Sequence, residues 1–478
     1  MMRKHLSISN FRKPAGCLIK VSVVFIVTLA VLTAIFKRTS DHNNLFHFYE
    51  VKRNSLDVVN IGSSHVHHSI NTVEMYDKMG IKSYNLSGPA QSIWDSYYYL
   101  KEMLKYQRPK VVLLDVYTIT NDDEHFESSI QMNLQAMRPS WNKYQALRAS
   151  GLQEKFWEVW LNFPLNHDCY SSLERKDYES EPEWRYMGYT YSTDIEELDA
   201  GAVADVRGVT KDSAITPKAE EYLRKCIELC QQEGIAIVLI NAPWPDITES
   251  TQEKYNYVQQ IADEYGIDFI NGCVLQEELG MDWRRDNAGN GGHLNYDGSL
   301  KWTHYLMNYL EENFELQDHR NERDPSWERA SGLLHQRIAQ HNLRDMENPE
   351  DVLRYLALDN QIPFATIFNL QQAPSNNMHD LALLFGLDLT SDCSGYIVRD
   401  TRGIISSGQD IQGIQDFPMG DSRVKVMKNT EVPDGASDCM GMQFNAETIR
   451  IIDGCGITIV TYDPYRDEIL WSEGFEAD

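Results

Sequence analysis

Along residues 54–313 the apolar positions follow two alternating periods. Nearly continuous short runs, Val58-Val59-Asn60-Ile61, Val111-Val112-Leu113-Leu114 and Ile235-Ala236-Ile237-Val238-Leu239-Ile240, are bounded by polar or turn residues. Runs of this length, rich in β-branched residues, predict buried strands. Tyr84-Asn85-Leu86 and Asp268-Phe269-Ile270 predict two shorter ones. Between the runs the spacing becomes helical. Ile93, Tyr97, Leu100 and Leu104 share one face over 92–107, and Tyr222, Cys226, Ile227 and Cys230 share one over 218–233. Further helices are predicted over 255–265 and 299–312. Strands alternating with helices predict an α/β domain built on a parallel sheet.

The pattern changes elsewhere. Residues 21–36 carry no charge, and Leu18 and Ile19 extend the run around Lys20. A spanning helix needs roughly 17–25 apolar residues, so this stretch predicts one transmembrane anchor. Arg3, Lys4, Arg12 and Lys13 precede it, and acidic chain follows Arg38. The positive-inside bias then places residues 1–20 in the cytoplasm and the bulk of the chain outside the cell membrane. A cleaved signal peptide is the rival, but no small-x-small site follows the run. Residues 39–53 read as a juxtamembrane linker.

Residues 121–215 interrupt the α/β pattern. This insertion holds Trp141, Trp157, Trp160, Trp184, Tyr186, Tyr189 and Tyr191. Such aromatics either pack a helical subdomain onto the sheet or wall a lid over its edge. Residues 314–345 are highly charged and read as a linker with a short helix over 327–339. Beyond them, strand-like runs recur at 363–368, 396–399, 424–427, 449–452, 457–462 and 469–471, with a helix-like run at 379–385. That predicts a C-terminal α+β domain at 346–478, mostly antiparallel β.

Composition narrows the function classes. A chain of 478 residues, 42% hydrophobic, has room for two or three domains with sizeable cores. Its net charge of −27 disfavours nucleic acid and anionic membrane surfaces as direct partners. None of the eight cysteines forms a C-x-x-C pair, so neither a zinc site nor another cofactor is predicted. Pairing among Cys393, Cys439 and Cys455 and retention of free buried thiols both fit the sequence.

Candidate chemistry sits at two places. The first apolar run ends in Gly62-Ser63-Ser64-His65, and 230 residues later the chain reads Asn290-Gly291-Gly292-His293-Leu294-Asn295. A sharp turn after a parallel strand puts a hydroxyl at the carboxyl edge of the sheet, where ligands bind. A histidine returning from the far end of the domain can take its proton. His65, His67 and His68 crowd the same turn, as metal ligands if they converge and as capping or surface histidines otherwise.

Together with Tyr84-Asn85-Leu86-Ser87-Gly88 and the block His293-Leu294-Asn295, Gly298 and Lys301, these segments resemble the SGNH (GDSL-like) hydrolase family. They are most similar to its membrane-anchored branch, which includes the D-alanine-transfer protein of teichoic-acid operons and alginate O-acetylation factors. The resemblance covers roughly residues 54–313. It implies a flavodoxin-like three-layer sandwich, with Ser64 as nucleophile and His293 as general base and then acid. It also implies oxyanion donors at the Ser63-Ser64 turn and at Gly88, with Asn121 the nearest side-chain candidate. Ser63, Asp115 and His65 would support the turn. The family carries Asp three residues before the histidine; this chain has Asn290, and Asp286 stands one helical turn earlier as a substitute. Asn orients an imidazole without stabilising its charged form. The C-terminal segment from Gly456 to Phe475 resembles the interleukin-like EMT-inducer (lectin-like stem) domain.

The resemblance implies an extracytoplasmic serine esterase or O-acyltransferase acting on a carbohydrate or teichoic-acid-type polymer. A membrane-bound O-acyltransferase would be its partner. The alternative is a catalytically inactive binding or assembly factor for an exopolysaccharide.

Overall fold

The computed structural model describes residues 9–35, 44–121, 127–161, 186–199, 201–289, 291–370, 375–390, 394–409, 411, 413–428, 439–445, 447–453, 455–465 and 467–476. It divides into two compact units, Met1–Glu322 and Arg323–Asp478.

In the first unit, β1 (Val58–Gly62), β2 (Ser83–Ser87), β3 (Val111–Asp115), β4 (Ala236–Asn241) and β5 (Phe269–Asn271) form a parallel sheet in the order β2-β1-β3-β4-β5. Every residue of β1, β2 and β3 is buried, which explains their continuous apolar runs: both faces of the sheet are covered. The order is that of doubly wound sheets, and its switch point lies between β1 and β3. Ser63 and Asp115 both emerge there.

The helices begin where polar caps stop the backbone from fraying. Ser92, Thr216 and Thr248 each accept an N–H from the first turn of the helices Ile93–Met103, Pro217–Gln232 and Glu249–Tyr265. Asn295 does the same for Tyr296–Asn313. The last two helices therefore start earlier than their apolar periodicity indicated.

Helices Glu127–Ala136, Trp141–Ala149 and Phe156–Leu161 occupy the described part of the insertion. Asn142 Nδ2 donates to the Tyr98 carbonyl at 2.9 Å and Tyr99 Oη to that of Asn133 at 2.8 Å, fastening them to helix Ile93–Met103. Tyr186 and Tyr189 are buried, whereas Trp141 and Trp157 are exposed; Trp184 lies outside the described residues.

N-terminal to the sheet, a helix spans Ser9–Ile35, with Leu18, Val21 and Phe25 among its exposed side chains. Among the described residues, no helix is long and apolar enough to cross a membrane.

The second unit holds two antiparallel sheets. One is ordered β10-β9-β8-β15-β16, from β8 (Phe364–Asn369), β9 (Ser394–Arg399), β10 (Ile405–Gln409), β15 (Gly456–Asp463) and β16 (Glu468–Glu476). The other is β11-β12-β13-β14, from β11 (Ile414–Met419), β12 (Ser422–Lys428), β13 (Cys439–Phe444) and β14 (Glu447–Asp453). Ala365, Ile367, Val398 and Val460 of the first sheet pack with Val424, Val426, Met440 and Met442 of the second. The first sheet's other face meets helices Pro325–Leu343, Pro349–Leu358 and Asn376–Leu384 through Phe364, Ile397 and Ile459. β15 is thus covered on both sides, and all eight of its residues are buried. Helix Pro325–Leu343, expected as part of a linker, is instead an element of this unit, because Trp327, Ala339 and Leu343 are buried. Residues 36–40, Cys169 and Cys393 fall outside the described residues, and Cys226, Cys230 and Cys273 are free thiols.

One glycine decides whether the β1 turn closes. A Cβ at Gly62 would lie 2.7 Å from Asp115 Oδ2 and 2.8 Å from Val66 Cγ2, closer than real Cβ contacts. Gly62→Ala is expected to cost about 1–3 kcal/mol, as overpacking does, and to lower the denaturant midpoint of the first unit.

Candidate active site

The site is built on the turn after β1. Ser63 has extended backbone and caps the helix Ser64–Ser69, accepting the His65 N–H on its Oγ at 3.3 Å. Its own N–H and hydroxyl both donate to Asp115 Oδ2, at 3.1 and 2.8 Å. Asp115 Oδ1 accepts the Tyr117 N–H at 3.0 Å. Burial raises the Asp115 carboxyl to about 6, against the pull of those three hydrogen bonds. The carboxylate at the end of β3 therefore pins Ser63, and Ser64 follows as the first residue of the helix, partly exposed.

His293 reaches this turn from the two-stranded sheet of β6 (Asn287–Gly289) and β7 (His293–Leu294). Its Nε2 lies 2.8 Å from Ser64 Oγ, across a sequence separation of 229 residues. With the ring proton on Nδ1, Nε2 accepts from the serine hydroxyl. Two connections hold the ends together. Thr303 Oγ1, on helix Tyr296–Asn313, donates to the Ser69 carbonyl at 3.2 Å and accepts the Asn71 N–H at 2.9 Å. A strap over residues 186–199 donates Thr190 N–H to the His67 carbonyl at 2.8 Å and Glu196 N–H to that of Asn287, also at 2.8 Å.

Aromatic rings pack around the histidine. His68 stacks on His293 with centroids 4.3 Å apart and an interplanar angle of 14°. His65 stacks on Tyr117 at 3.6 Å and meets Trp244 edge-on at 6.2 Å. Burial lowers the His293 imidazole to about 4. Burial, and then repulsion from His293 and His68, holds His65 well below the usual histidine range. His67 Nδ1 lies 3.0 Å from Ser87 Oγ. Among the described residues no His, Cys, Asp and Glu group could hold a metal.

The expected supporting residues are placed as follows. Asn290 lies outside the described residues. Asp286 is buried, but its Oδ2 is taken by Lys301 Nζ and by the Asp282 N–H, each at 2.6 Å. Its carboxylate is committed to the ion pair at the start of the loop and is not hydrogen-bonded to His293. Asn295, in the same block, caps its helix and donates Nδ2 to the Asp194 carbonyl at 3.1 Å.

The expected oxyanion donors also divide. The Ser63 N–H is engaged with Asp115, and the Gly88 N–H donates to the Gly62 carbonyl at 3.3 Å. Asn121 is exposed and follows a short 3₁₀ turn, Tyr117–Thr120. The Ser64 N–H, at the N-terminal end of its helix, has no hydrogen bond among the described residues.

Tyr117 and Trp244 were missed in the sequence, although both follow strand ends at the sheet's carboxyl edge. His68 had a visible signal: four residues after Ser64, it lies on the same helix face. Chemically, a hydroxyl, a neutral imidazole and a free backbone donor suit nucleophilic attack on an acyl carbonyl.

No family model matches the chain, and no curated protein matches it. Among solved structures, it is similar to the crystal structure of a candidate acylhydrolase from Bacteroides fragilis. The TM-score is 0.30 and the identity 9%, over 56% of this chain and 94% of that one. A likeness at that level identifies no activity.

Two outcomes follow from the geometry. Because burial lowers His293 to about 4, its neutral form persists below the usual histidine pKa near 6.5. The rate at which an uncharged serine probe labels Ser64 is expected to hold through pH 6 and to fall as the pH drops through about 4. Asp286→Asn is expected to lower stability, by leaving Lys301 unpaired, without moving that limb; a limb shifted with the variant would place Asp286 on His293.

Proposed function

We propose that this chain is an extracytoplasmic serine esterase or O-acyltransferase that moves a small acyl group on a cell-surface or exported polysaccharide or teichoic-acid-type polymer. The observation that carries it is the 2.8 Å approach of His293 Nε2 to Ser64 Oγ at the switch point of a parallel sheet. In the proposed reaction, Ser64 Oγ attacks the acyl carbonyl and His293 takes its proton. The acyl group passes to Ser64, the Ser64 N–H stabilises the developing oxyanion, and the leaving group departs with the proton from His293. A polymer hydroxyl or a water then attacks the acyl-serine, and Ser64 is regenerated.

The location rests on sequence. The uncharged run at 21–36 and the basic residues before it support a single-pass anchor with the bulk of the chain outside. A membrane-bound O-acyltransferase would then supply acyl groups. The antiparallel second unit, with its resemblance to a lectin-like stem domain, would hold polymer and raise its effective concentration at Ser64.

A second reading, a binding or assembly factor without turnover, is favoured by one observation. No carboxylate among the described residues hydrogen-bonds His293, so its charged form lacks a partner. Replacing the triad Asp by Asn can cost about 10⁴ in rate.

A fluorophosphonate probe separates the two. It is expected to label the wild-type chain, but not Ser64→Ala, and to label His293→Gln at least about 10²-fold more slowly. Equal labelling of wild type and Ser64→Ala removes the enzyme reading. Asn290→Asp is expected to raise turnover of p-nitrophenyl acetate; deletion of residues 346–478 should spare that turnover while weakening retention on polymer.

A further inference from the structure

Trp141 and Trp157 are 70% and 63% exposed, whereas Trp94, Trp244, Trp283, Trp302 and Trp327 are buried. The two exposed rings close a ladder of contacts. Trp141 stacks on Tyr144 at 5.0 Å, Tyr144 meets Phe156 at 6.3 Å, and Phe156 lies 5.0 Å from both Trp157 and Trp160. Three exposed arginines have no carboxylate partner among the described residues: Arg148, on the helix that carries Trp141, and Arg138 and Arg53, which both lie over the Tyr106 ring. Arg138 lies 4.1 Å over the Tyr49 ring, and Arg53 lies 4.9 Å over that of Tyr106. Over residues 138–158 four cations, Arg138, Lys143, Arg148 and Lys155, outnumber two acids, Glu154 and Glu158, which locally reverses a net charge of −27.

Chain length fixes where this surface can be. Eight residues separate Ile35, the end of the apolar N-terminal helix, from Asn44, the first described residue of the sheet-bearing part. That reach is at most about 30 Å. Tyr49, under the Arg138 guanidinium, follows five residues later.

We propose that the face formed by Trp141, Trp157, Arg53, Arg138 and Arg148 docks on a bilayer surface bearing anionic headgroups. Indole rings have an apolar body and a polar N–H, which suits the boundary between headgroups and acyl chains. Each arginine adds attraction to anionic lipid, worth about fivefold in the docking equilibrium. The net acidity of the chain opposes binding to such a surface, so a face with excess positive charge orients the unit on the membrane. The inference rests on the anchored reading of the N-terminal helix.

The test uses the full chain reconstituted in phosphatidylcholine vesicles with and without phosphatidylglycerol, doped with brominated lipid. The N-terminal helix has no tryptophan, so bromine quenching of tryptophan fluorescence reports on the docking face and flotation reports on the anchor. Quenching is expected in anionic vesicles and should be lost in Trp141→Ser/Trp157→Ser. Arg148→Gln should weaken docking about fivefold. Flotation without quenching overturns the docking face and leaves the anchor standing. Failure to float overturns both. Equal quenching in neutral vesicles overturns the anionic assignment, and tryptophan protection by soluble polysaccharide instead of lipid makes the face a polymer site and overturns the proposal.

Discussion

The candidate site depends on one buried carboxylate that has no cation beside it among the described residues. Asp115 ends β3 and accepts three hydrogen bonds: the Ser63 N–H, the Ser63 hydroxyl and the Tyr117 N–H. A buried charge is tolerated only when such bonds replace its water. Each partner is thereby constrained. Gly62 must lack a side chain, because a Cβ would run into Asp115. Ser63 must present both its amide and its hydroxyl toward β3, which turns the chain sharply out of β1. Ser64 is left as the next residue, at the start of a helix, with its N–H unclaimed. The β1/β3 switch point makes the room, since the chain leaves adjacent strands in opposite directions there.

His293 is held by a different device. The loop before it is anchored by the Asp286–Lys301 ion pair, and the helix after it by the Thr303 contacts with Ser69 and Asn71. The carboxylate nearest in sequence is thus spent on architecture. The imidazole is stacked on the His68 ring, and among the described residues no acid hydrogen-bonds it. A stacked ring fixes orientation and excludes water. That burial favours the neutral imidazole, which accounts for its low pKa.

Much of the sheet was legible because each strand is buried on both faces. Burial on both sides erases alternation and leaves a plain apolar run, as in Val111-Val112-Leu113-Leu114. Strands of the second unit that carry one exposed face were harder to read. β10 and β11 are largely exposed or half-buried, and β13, Cys-Met-Gly-Met-Gln-Phe, has no β-branched residue. Helix Pro349–Leu358 was missed because Pro-Glu-Asp at its start reads as a loop, although Pro at the first helical position is favourable. In the site, Ser64 and His293 were legible as residue types at strand-end turns. The engagement of Gly88 with Gly62, and of Asp286 with Lys301, was not. Both depend on which of several near neighbours a backbone amide or carboxylate meets, and sequence spacing does not resolve competing partners.

That no acid among the described residues hydrogen-bonds His293 bears on which acyl donors suit the proposed chemistry. In that proposed chemistry, attack by Ser64 places a proton on His293, and burial destabilises the resulting imidazolium, with no compensating carboxylate among the described residues. A transition state with a fully formed imidazolium is therefore costly here. One in which proton transfer lags behind bond cleavage is less so. Donors with good leaving groups need little protonation of the departing atom, so they lower the charge demanded of His293. Stable alkyl esters demand the most. The same logic applies on the return step, where a polymer hydroxyl held beside the acyl-serine competes with water by proximity and not by base strength. On the proposed reading, a site built on orientation, with a weakly basic histidine, is better matched to transfer from an activated donor onto a retained acceptor than to hydrolysis of free esters.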